Sequence, residues 1–341
     1  MAEAAGLLVD LATATRLKEG PEGIRKILRS IFRTGPVPIR NLARDLGIPV
    51  PVVAAVRGEL EKRQLATRES GVKLTDSGAQ ALKLASGITC RARFDVTSIL
   101  DLPESVAPLV FRFAEIADHR PDADVSLDQS HATAETAIRR AVYLFEHDAI
   151  EGRSLLFLGD DDLTSVAVGL LAVELNIRPR NVTVLDVDDR LVTFLSKSSP
   201  SGVSPAGCPV DTMLHDLRHP IPESMVGRFD VFFTDPPYTI EGLRLFVDRG
   251  VRALRPEVGK LGFICFGRKS PLETVAIGRT LADLNLASVE IVPDFNRYDG
   301  AQLLAGSSQM IRTVYAGQGG GPDEVYDGPL YTRDMRRRPR G

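Results

Sequence analysis

The feature that most restricts the fold of this chain is a regular alternation of apolar and amphipathic segments from residue 154 onward. Strand-like apolar runs are followed, one after another, by runs with helical periodicity. Continuous apolar strands that alternate with helices predict a parallel, doubly wound sheet with its ligand site at the carboxyl ends of the strands. The predicted strands are SLLFL, NVTVLDV, CPVDTMLHDL, FDVFFTDPPYT, KLGFICFG, ASVEIVP and SSQMIRTVYAG.

The segment before this alternation predicts a separate small domain. Three helical runs are followed by a hairpin-like segment around Gly71 and a closing helix capped at Thr75 or Asp76, a pattern typical of a winged helix-turn-helix. An amphipathic helix is also expected from Thr133 to His147. The predicted domains are a winged helix (residues 1–88), a linker with a helical segment (89–150), the α/β domain (151–316) and a tail rich in Gly, Pro and charge (317–341).

A winged helix is a common DNA reader, but its third helix here has a mixed face. Acidic and basic side chains lie side by side: Arg57, Glu59, Glu61, Lys62 and Arg63. We therefore expect a structural or dimerising role, with a homodimer as the assembly and no nucleic acid as partner.

Charge is distributed unevenly along the chain. Residues 1–90 hold 14 Lys and Arg against 9 Asp and Glu, whereas the remainder holds 28 against 36. An acidic α/β half favours a cationic ligand over a nucleic-acid backbone.

Other features bear on location and on metals. No apolar run approaches the roughly 20 residues that span a bilayer, and the N-terminus lacks a basic signal-peptide region, so no membrane contact is expected. Cys90, Cys208 and Cys265 show no CxxC spacing, and the histidines are scattered. This pattern argues against zinc and disulfides, so we expect a cytoplasmic protein without a metal.

The loop after the first predicted strand is Gly159 followed by three aspartates, Asp160, Asp161 and Asp162. A nucleotide-binding fold places a phosphate at this glycine turn and helix N-terminus. Aspartates repel phosphate, which disfavours NAD and ATP. One of them, with Asp162 as the candidate, is expected to cap the helix, and the other two predict a bound cation.

Two further loops carry candidate residues. After the second strand, Asp186 is expected to accept bonds from ribose hydroxyls, with Asp188 as the cap of the next helix. After the fourth strand, Asp235, Pro236, Pro237, Tyr238 and Thr239 form DPPYT. Consecutive prolines fix the backbone and remove donors, so the Asp235 carboxylate and the Pro236 carbonyl predict an acceptor-only site for an amine nucleophile.

These motifs resemble those of two groups of proteins. DPPY after the fourth strand resembles the motif of S-adenosylmethionine-dependent amino-methyltransferases. The whole series is similar to branched-chain polyamine synthase, the N4-bis(aminopropyl)spermidine synthase family of thermophilic archaea and bacteria, over about residues 20–315. The motifs that carry this likeness are DQSHATAETAIRRA, LGDDDLTS, LDVDDRL, HDLRHPIP and FTDPPYT, behind the predicted winged helix.

The resemblance implies a Rossmann-like, methyltransferase-type domain that transfers aminopropyl groups from decarboxylated S-adenosylmethionine, its co-substrate, to N4 of spermidine. It also implies that Asp216 lies near the adenine, that Gln129 and Glu135 lie in a segment over the tail of the donor, and that Asp128 binds the acceptor. We expect Gly159, Asp162, Asp186 and Asp188 on the donor as well, and Phe295, Asn296 and Tyr298 around the acceptor. Cys265 is expected in the core rather than as a nucleophile.

The charge of the aspartate loop fits this donor independently of the resemblance. S-Adenosylmethionine carries a carboxylate on its tail, whereas its decarboxylated form carries only a sulfonium and an ammonium. A carboxylate and a cation about 4 Å apart attract each other by roughly 4 kcal/mol at an effective dielectric near 20, before desolvation. In the predicted in-line displacement, Asp235 takes or relays the N4 proton, the Pro236 carbonyl orients the nitrogen, and Tyr238 forms a wall of the site. Asp160 and Asp161 either bind the aminopropyl ammonium or help to deprotonate N4.

Two other functions use the same motifs. An amino-methyltransferase acting on DNA or RNA would grip a flipped base with DPPY. A ligand-sensing transcription factor would keep only the fold. The acidic α/β half argues against the first, and an intact amine-binding tetrad argues against the second.

Overall fold

The computed structural model describes residues 2–94, 100–197, 210–299, 306–317, 325–328 and 330, with no side-chain description for 2–5 and 197. Cys208 and most of the predicted tail lie outside the described residues. The chain forms two compact units. One comprises Met1–Arg93, Leu175–Arg178 and Glu257–Gly259, and the other comprises Phe94–Glu174, Pro179–Pro256 and Lys260–Gly341.

The first unit is helical with one short hairpin. Its helices are α1 (Ala2–Thr15), α2 (Gly20–Thr34), α3 (Ile39–Leu46), α4 (Val50–Lys62) and α5 (Asp76–Ser86), and its antiparallel strands are β1 (Ala66–Thr67) and β2 (Lys73–Leu74). Thr75 is the cap of α5, because its hydroxyl accepts a hydrogen bond from the Gly78 N–H. Ile24, Ile27 and Val56 are fully buried in the core of this unit. The hairpin and the helices after residue 20 occur where the sequence predicts them, whereas α1 was not predicted.

The second unit contains the predicted alternation of strands and helices. Its helices are α6 (Ala107–Ala117), α7 (Ala134–Glu146), α8 (Thr164–Glu174), α9 (Asp189–Lys197), α10 (Ile240–Ala253) and α11 (Pro271–Asp283). Its strands are β3 (Ser154–Leu158), β4 (Asn181–Asp186), β5 (Asp211–Leu214), β6 (Val231–Thr234), β7 (Leu261–Phe266), β8 (Leu286–Arg297) and β9 (Ser307–Tyr315).

These seven strands form one sheet in the order β5-β4-β3-β6-β7-β9-β8. The first five are parallel, as predicted, and Phe157 on β3 pairs with Val184 on one side and Phe233 on the other. The prediction of a wholly parallel sheet is wrong at β9, which runs antiparallel to both of its neighbours, β7 and β8. No helix separates β8 from β9 among the described residues, and a parallel connection requires such a crossover.

Strand β8 is longer than the predicted ASVEIVP. The expected end at Pro293 is instead a register shift between Val292 and Asn296, and Asp294 there has a φ of 54°. A β-bulge accommodates the proline and lets the strand continue. Phe295 and Asn296 therefore lie within β8 rather than in the loop after it.

The described helices include none that is both long enough and apolar enough to cross a membrane.

Candidate active site

The predicted loops meet at the carboxyl edge of the parallel strands. Because β3 lies between β4 and β6, the aspartate loop after β3 is flanked by the loop that begins at Val187 and by DPPYT. Gly159 turns the chain at this point with a φ of 73°, a conformation that favours glycine, and its N–H donates to the Leu185 carbonyl. The Thr234 hydroxyl donates to the Leu158 carbonyl, which joins the ends of β6 and β3.

Asp160 is hydrogen-bonded to the first turn of α8. Its carboxylate is buried and accepts bonds from the Ser165 N–H and, at 2.5 Å, from the Ser165 hydroxyl. The prediction that Asp162 caps this helix is wrong, since Asp160 makes these cap-like bonds. Burial raises the pKa of Asp160 to about 8, and the bonds from Ser165 offset only part of that rise.

Asp162 is bonded to α7 and to the segment before it. Its Oδ2 lies 2.5 Å from Nη1 of Arg140, and its Oδ1 accepts a hydrogen bond from the Ala132 N–H. Asp162 is 3% exposed, so both of its oxygens are committed inside the protein.

Asp161 differs from both of its neighbours. It is half-buried, and none of the described residues donates a hydrogen bond to its carboxylate. Burial, together with the negative charges of Asp162, Asp186 and Asp235, raises its pKa well above the ordinary value. The loop therefore contains one carboxylate that is poised to accept a cation or a proton.

The loop after β4 is braced by its own acids. The Asp186 carboxylate accepts the backbone N–H of Asp160 at 3.0 Å and that of Asp188 at 2.9 Å, and burial raises its pKa. Asp188 accepts the Arg190 N–H at the start of α9, the cap position predicted for it, and also the Arg190 side chain. The Gln129 amide lies 3.4 Å from Asp188.

Three predicted donor and acceptor residues lie on other segments of the chain. Asp216 follows β5 and binds Arg218, and the main chain next to it is anchored by His215 N–H to the Asp186 carbonyl. Glu135 is exposed on the first turn of α7, and Asp128 follows a single helical turn with a φ of 58°. No hydrogen bond or ion pair joins Glu135 to the aspartate loop among the described residues.

DPPYT forms a polar cluster with the end of β8. Asp235 Oδ2 accepts the Tyr298 hydroxyl at 2.6 Å and Nη2 of Arg140 at 2.8 Å, and Oδ1 accepts the Tyr238 hydroxyl at 3.0 Å. Burial raises the pKa of Asp235 to about 6. The nearby Arg140 lowers this pKa, and the negative charge of Asp162 raises it.

The rest of DPPYT is held rigidly. Thr239 caps α10 through the Gly242 N–H, and Lys269 donates to the Tyr238 carbonyl at 2.7 Å. Pro236 is buried, and its carbonyl receives no hydrogen bond from any residue that the structure describes.

The residue that sequence reasoning missed is Arg140. It is fully buried on α7, where Ala137, Ala141 and Leu144 form the apolar face with it. An arginine at this spacing on an apolar helix face is the signal that could have identified it. Its Nε donates to Asn296, whose amide in turn donates to Ser308.

Cys265 and the histidines show no sign of nucleophilic or metal chemistry. Cys265 lies fully buried in β7, and burial raises the pKa of its thiol well above the ordinary value, as expected for a core residue. Within the described ranges, no group of three or more His, Cys, Asp and Glu side chains is arranged to hold a metal ion.

Comparison with known proteins adds independent information. Residues 108–315 match the family described as "Branched-chain polyamine synthase A C-terminal domain". An uncharacterised protein of Methanocaldococcus jannaschii is 33% identical over 315 residues, which is 90% of this chain and 77% of that protein. The N(4)-bis(aminopropyl)spermidine synthase of the same organism is 32% identical over 287 residues, 81% of this chain and 77% of the enzyme.

A solved structure agrees with the fold over almost the whole chain. It is a mutein of the Thermus thermophilus branched-chain polyamine synthase in complex with N4-aminopropylspermidine and 5'-methylthioadenosine. The TM-score is 0.60 at 24% identity, with coverage of 98% of each chain.

Proposed function

The chain belongs to the branched-chain polyamine synthase family, and on this premise we propose that it transfers aminopropyl groups from decarboxylated S-adenosylmethionine to N4 of spermidine. The products are N4-aminopropylspermidine and N4-bis(aminopropyl)spermidine. The observation that carries the proposal is Asp161, a carboxylate without a protein donor among the described residues that lies in the electrostatic field of Asp186 and Asp235. Such a group is stabilised by a cation or a proton, and both proposed substrates are cationic.

The donor binds along the loops after β3 and β4. Gly159, Asp186, Asp188 and Gln129 form the nucleoside side of the site, with Asp216 near the base. The Asp186 carboxylate accepts the backbone N–H groups of Asp160 and Asp188 and is close to that of Val187, and its remaining acceptor capacity is assigned to a ribose hydroxyl. We assign Glu135 to the donor and Asp128 to the acceptor, as the sequence predicts.

The acceptor amine lies between DPPYT and Asp161. Asp235 already accepts three hydrogen bonds, from Arg140, Tyr238 and Tyr298, so it orients the amine and stabilises positive charge rather than acting as the main base. Asp161 has no such bonds and a raised pKa, which suits it to take the N4 proton. The Pro236 carbonyl fixes the direction of the N4 lone pair, and Asp160 shapes the loop.

In the reaction, the N4 ammonium of spermidine first passes its proton through Asp161 to solvent, and the lone pair of neutral N4 then attacks the propyl carbon attached to sulfur. The C–S bond breaks, its electron pair passes to sulfur, and methylthioadenosine leaves as a neutral molecule. The positive charge of the sulfonium therefore moves to the amine, which loses a proton to Asp161 after the first transfer. After the second transfer the nitrogen is quaternary and has no proton to lose, so the carboxylates stabilise it by charge alone.

The domain assignments made from the sequence remain proposals. We propose that residues 1–88 form a winged helix-turn-helix, that 89–150 link it to the catalytic domain at 151–316, and that the protein is a homodimer. In support, a helical unit with a short antiparallel hairpin precedes the sheet-containing unit.

Mass spectrometry of spermidine incubated with the protein and decarboxylated S-adenosylmethionine tests the function directly. We expect masses that rise by one and then two aminopropyl units, and an unchanged spermidine mass would refute the proposal. Calorimetry with the two donors side by side tests the alternative amino-methyltransferase. Tighter binding of S-adenosylmethionine than of its decarboxylated form would favour that alternative.

A further inference from the structure

Arg140 bonds to three of the segments around the proposed acceptor site, although it is 0% exposed and cannot touch a substrate. Its five N–H groups are all engaged. They donate to Asp162 and Thr164 after β3, to Asp235 after β6, and to Asn296 and Tyr298 at the end of β8. One side chain thus fixes three segments that are far apart in the sequence.

The charge of Arg140 matters as much as its geometry. Asp162 and Asp235 share the guanidinium, at 2.5 and 2.8 Å, and no other cationic side chain is paired with either of them among the described residues. Two carboxylates this close destabilise each other's ionised form unless a cation separates them. Without Arg140, burial and the charge of Asp162 would favour a protonated Asp235.

A protonated Asp235 would reverse the polarity of the site. As a carboxylate it accepts the Tyr238 and Tyr298 hydroxyls and Arg140, and the lone pair that remains on Oδ1 stays an acceptor for the amine. As a neutral acid it would carry its own donor. An amine that brings N–H groups would then meet a hydrogen where it needs an acceptor.

We propose that Arg140 is a positioning residue that keeps Asp235 ionised and aligned with Tyr238 and Tyr298, and so sets the acceptor amine in place without contacting it. The proposal rests on the proposed aminopropyl transfer. It adds a requirement that the predicted motifs do not contain, namely that an arginine from α7 must lie beneath DPPYT.

The test compares pH profiles of kcat/KM with spermidine and decarboxylated S-adenosylmethionine. For the wild type we expect an inflection with a midpoint near pH 6, where burial places the pKa of Asp235, below a separate limb at higher pH that reflects Asp161 and the N4 ammonium. Arg140→Met should raise this midpoint by about one to three pH units, the effect of removing an opposite charge at hydrogen-bond distance. Arg140→Lys keeps the positive charge but not the planar, forked set of N–H donors. The plateau of kcat/KM should therefore fall, while the midpoint stays near that of the wild type.

Asp162→Asn should shift the midpoint in the direction opposite to Arg140→Met. It removes the carboxylate that competes for Arg140, so the midpoint should move to lower pH. Arg249→Met is the matched control, because Arg249 is also buried but donates to the Leu217 carbonyl. It should lower the melting temperature without moving the midpoint, which separates a role in positioning Asp235 from simple loss of packing.

A second readout does not depend on turnover. The titration of the Asp235 carboxyl carbon can be followed by 13C NMR and assigned by its absence in Asp235→Asn. Midpoints that stay the same in Arg140→Met and Asp162→Asn would overturn the role of Arg140, whether or not the wild type forms product. If Arg140→Met does not fold, the plateau of Arg140→Lys decides, since a plateau equal to that of the wild type would overturn the positioning role. A wild type that forms no product at any pH counts instead against the proposed function.

Discussion

Replacing each aspartate of the loop by asparagine, one at a time, separates the residue that acts on substrate from those that build the loop. Asp161→Asn removes a charge that has no hydrogen-bond donor among the described residues, so the fold loses no described contact. Its melting temperature should equal or exceed that of the wild type, because a carboxylate in the field of three others is destabilising. Its substrates, by contrast, lose their cation partner.

The size of that loss follows from the kind of bond. A hydrogen bond to a charged group contributes about 1.5–3 kcal/mol. At roughly 1.4 kcal/mol for each factor of ten, Asp161→Asn should weaken binding of decarboxylated S-adenosylmethionine or lower kcat/KM by about 10- to 150-fold. If Asp161 also takes the N4 proton, loss of general-base catalysis adds a factor of about 100 or more in kcat.

Replacing either neighbour, Asp160 or Asp162, should instead lower the stability of the fold. Asp160→Asn keeps an acceptor for Ser165 and should cost about 1 kcal/mol or less, because Asn caps helices nearly as well as Asp. Asp162→Asn loses a charge-assisted bond to Arg140, at about 1.5–3 kcal/mol of unfolding free energy, which lowers the melting temperature by several degrees.

Thermal unfolding and steady-state kinetics of the three variants, measured in one buffer, give the required numbers. The reasoning fails if Asp161→Asn keeps wild-type kcat/KM while a folded Asp160→Asn loses it.

Two further predictions concern protons. Cation binding should release protons, because burial holds the pKa of Asp160 at about 8 and raises that of Asp161, and a bound cation favours their ionised forms. At pH 7 the calorimetric heat of binding decarboxylated S-adenosylmethionine should therefore change with the ionisation enthalpy of the buffer. The heat of binding neutral methylthioadenosine should not change. Equal heats for decarboxylated S-adenosylmethionine in Tris and phosphate would contradict proton release. At acid pH, Asp230 should limit stability: burial opposes its ionised form, but Lys260 and Arg153 outweigh burial and hold its pKa at about 2, below its ordinary 3.8. A lowered folded pKa stabilises the fold above pH 4 and is lost as the pH falls toward 2, so Asp230→Asn should flatten the acid limb of a urea-unfolding series, and an unchanged limb would count against this role.

The strands and helices of the sheet-containing unit could be predicted because their signal is local. Apolar runs such as 154–158 and 181–186 are buried on both faces, and a continuous run of this kind reads as a parallel strand without any tertiary information. The end of β8 could not be predicted in this way. Pro293 is a strand breaker by itself, and only its pairing with β9 across a bulge keeps the strand intact.

The site was predictable as a set of motifs but not as a set of roles. Placing Asp235, Tyr238 and the aspartate loop at neighbouring strand ends needs only the order of the elements. Assigning the roles needs contacts over long separations, since Arg140 meets Asp162 at 22 residues and Asp235 at 95. Helical periodicity places Arg140 on an apolar face, but it does not identify the carboxylates that Arg140 binds there.

The aspartate loop illustrates why three acids are needed where one acts. A single unpaired carboxylate on a mobile loop would turn toward solvent, where its pKa and its attraction for a cation would both be ordinary. Asp160 anchors one side of the loop to α8 and Asp162 anchors the other to α7, so Asp161 is held half-buried among like charges. The free energy of that repulsion is released when a cation binds. The two structural aspartates therefore raise the affinity of the third for a sulfonium or an ammonium, and a phosphate-bearing ligand would meet only repulsion at the same place.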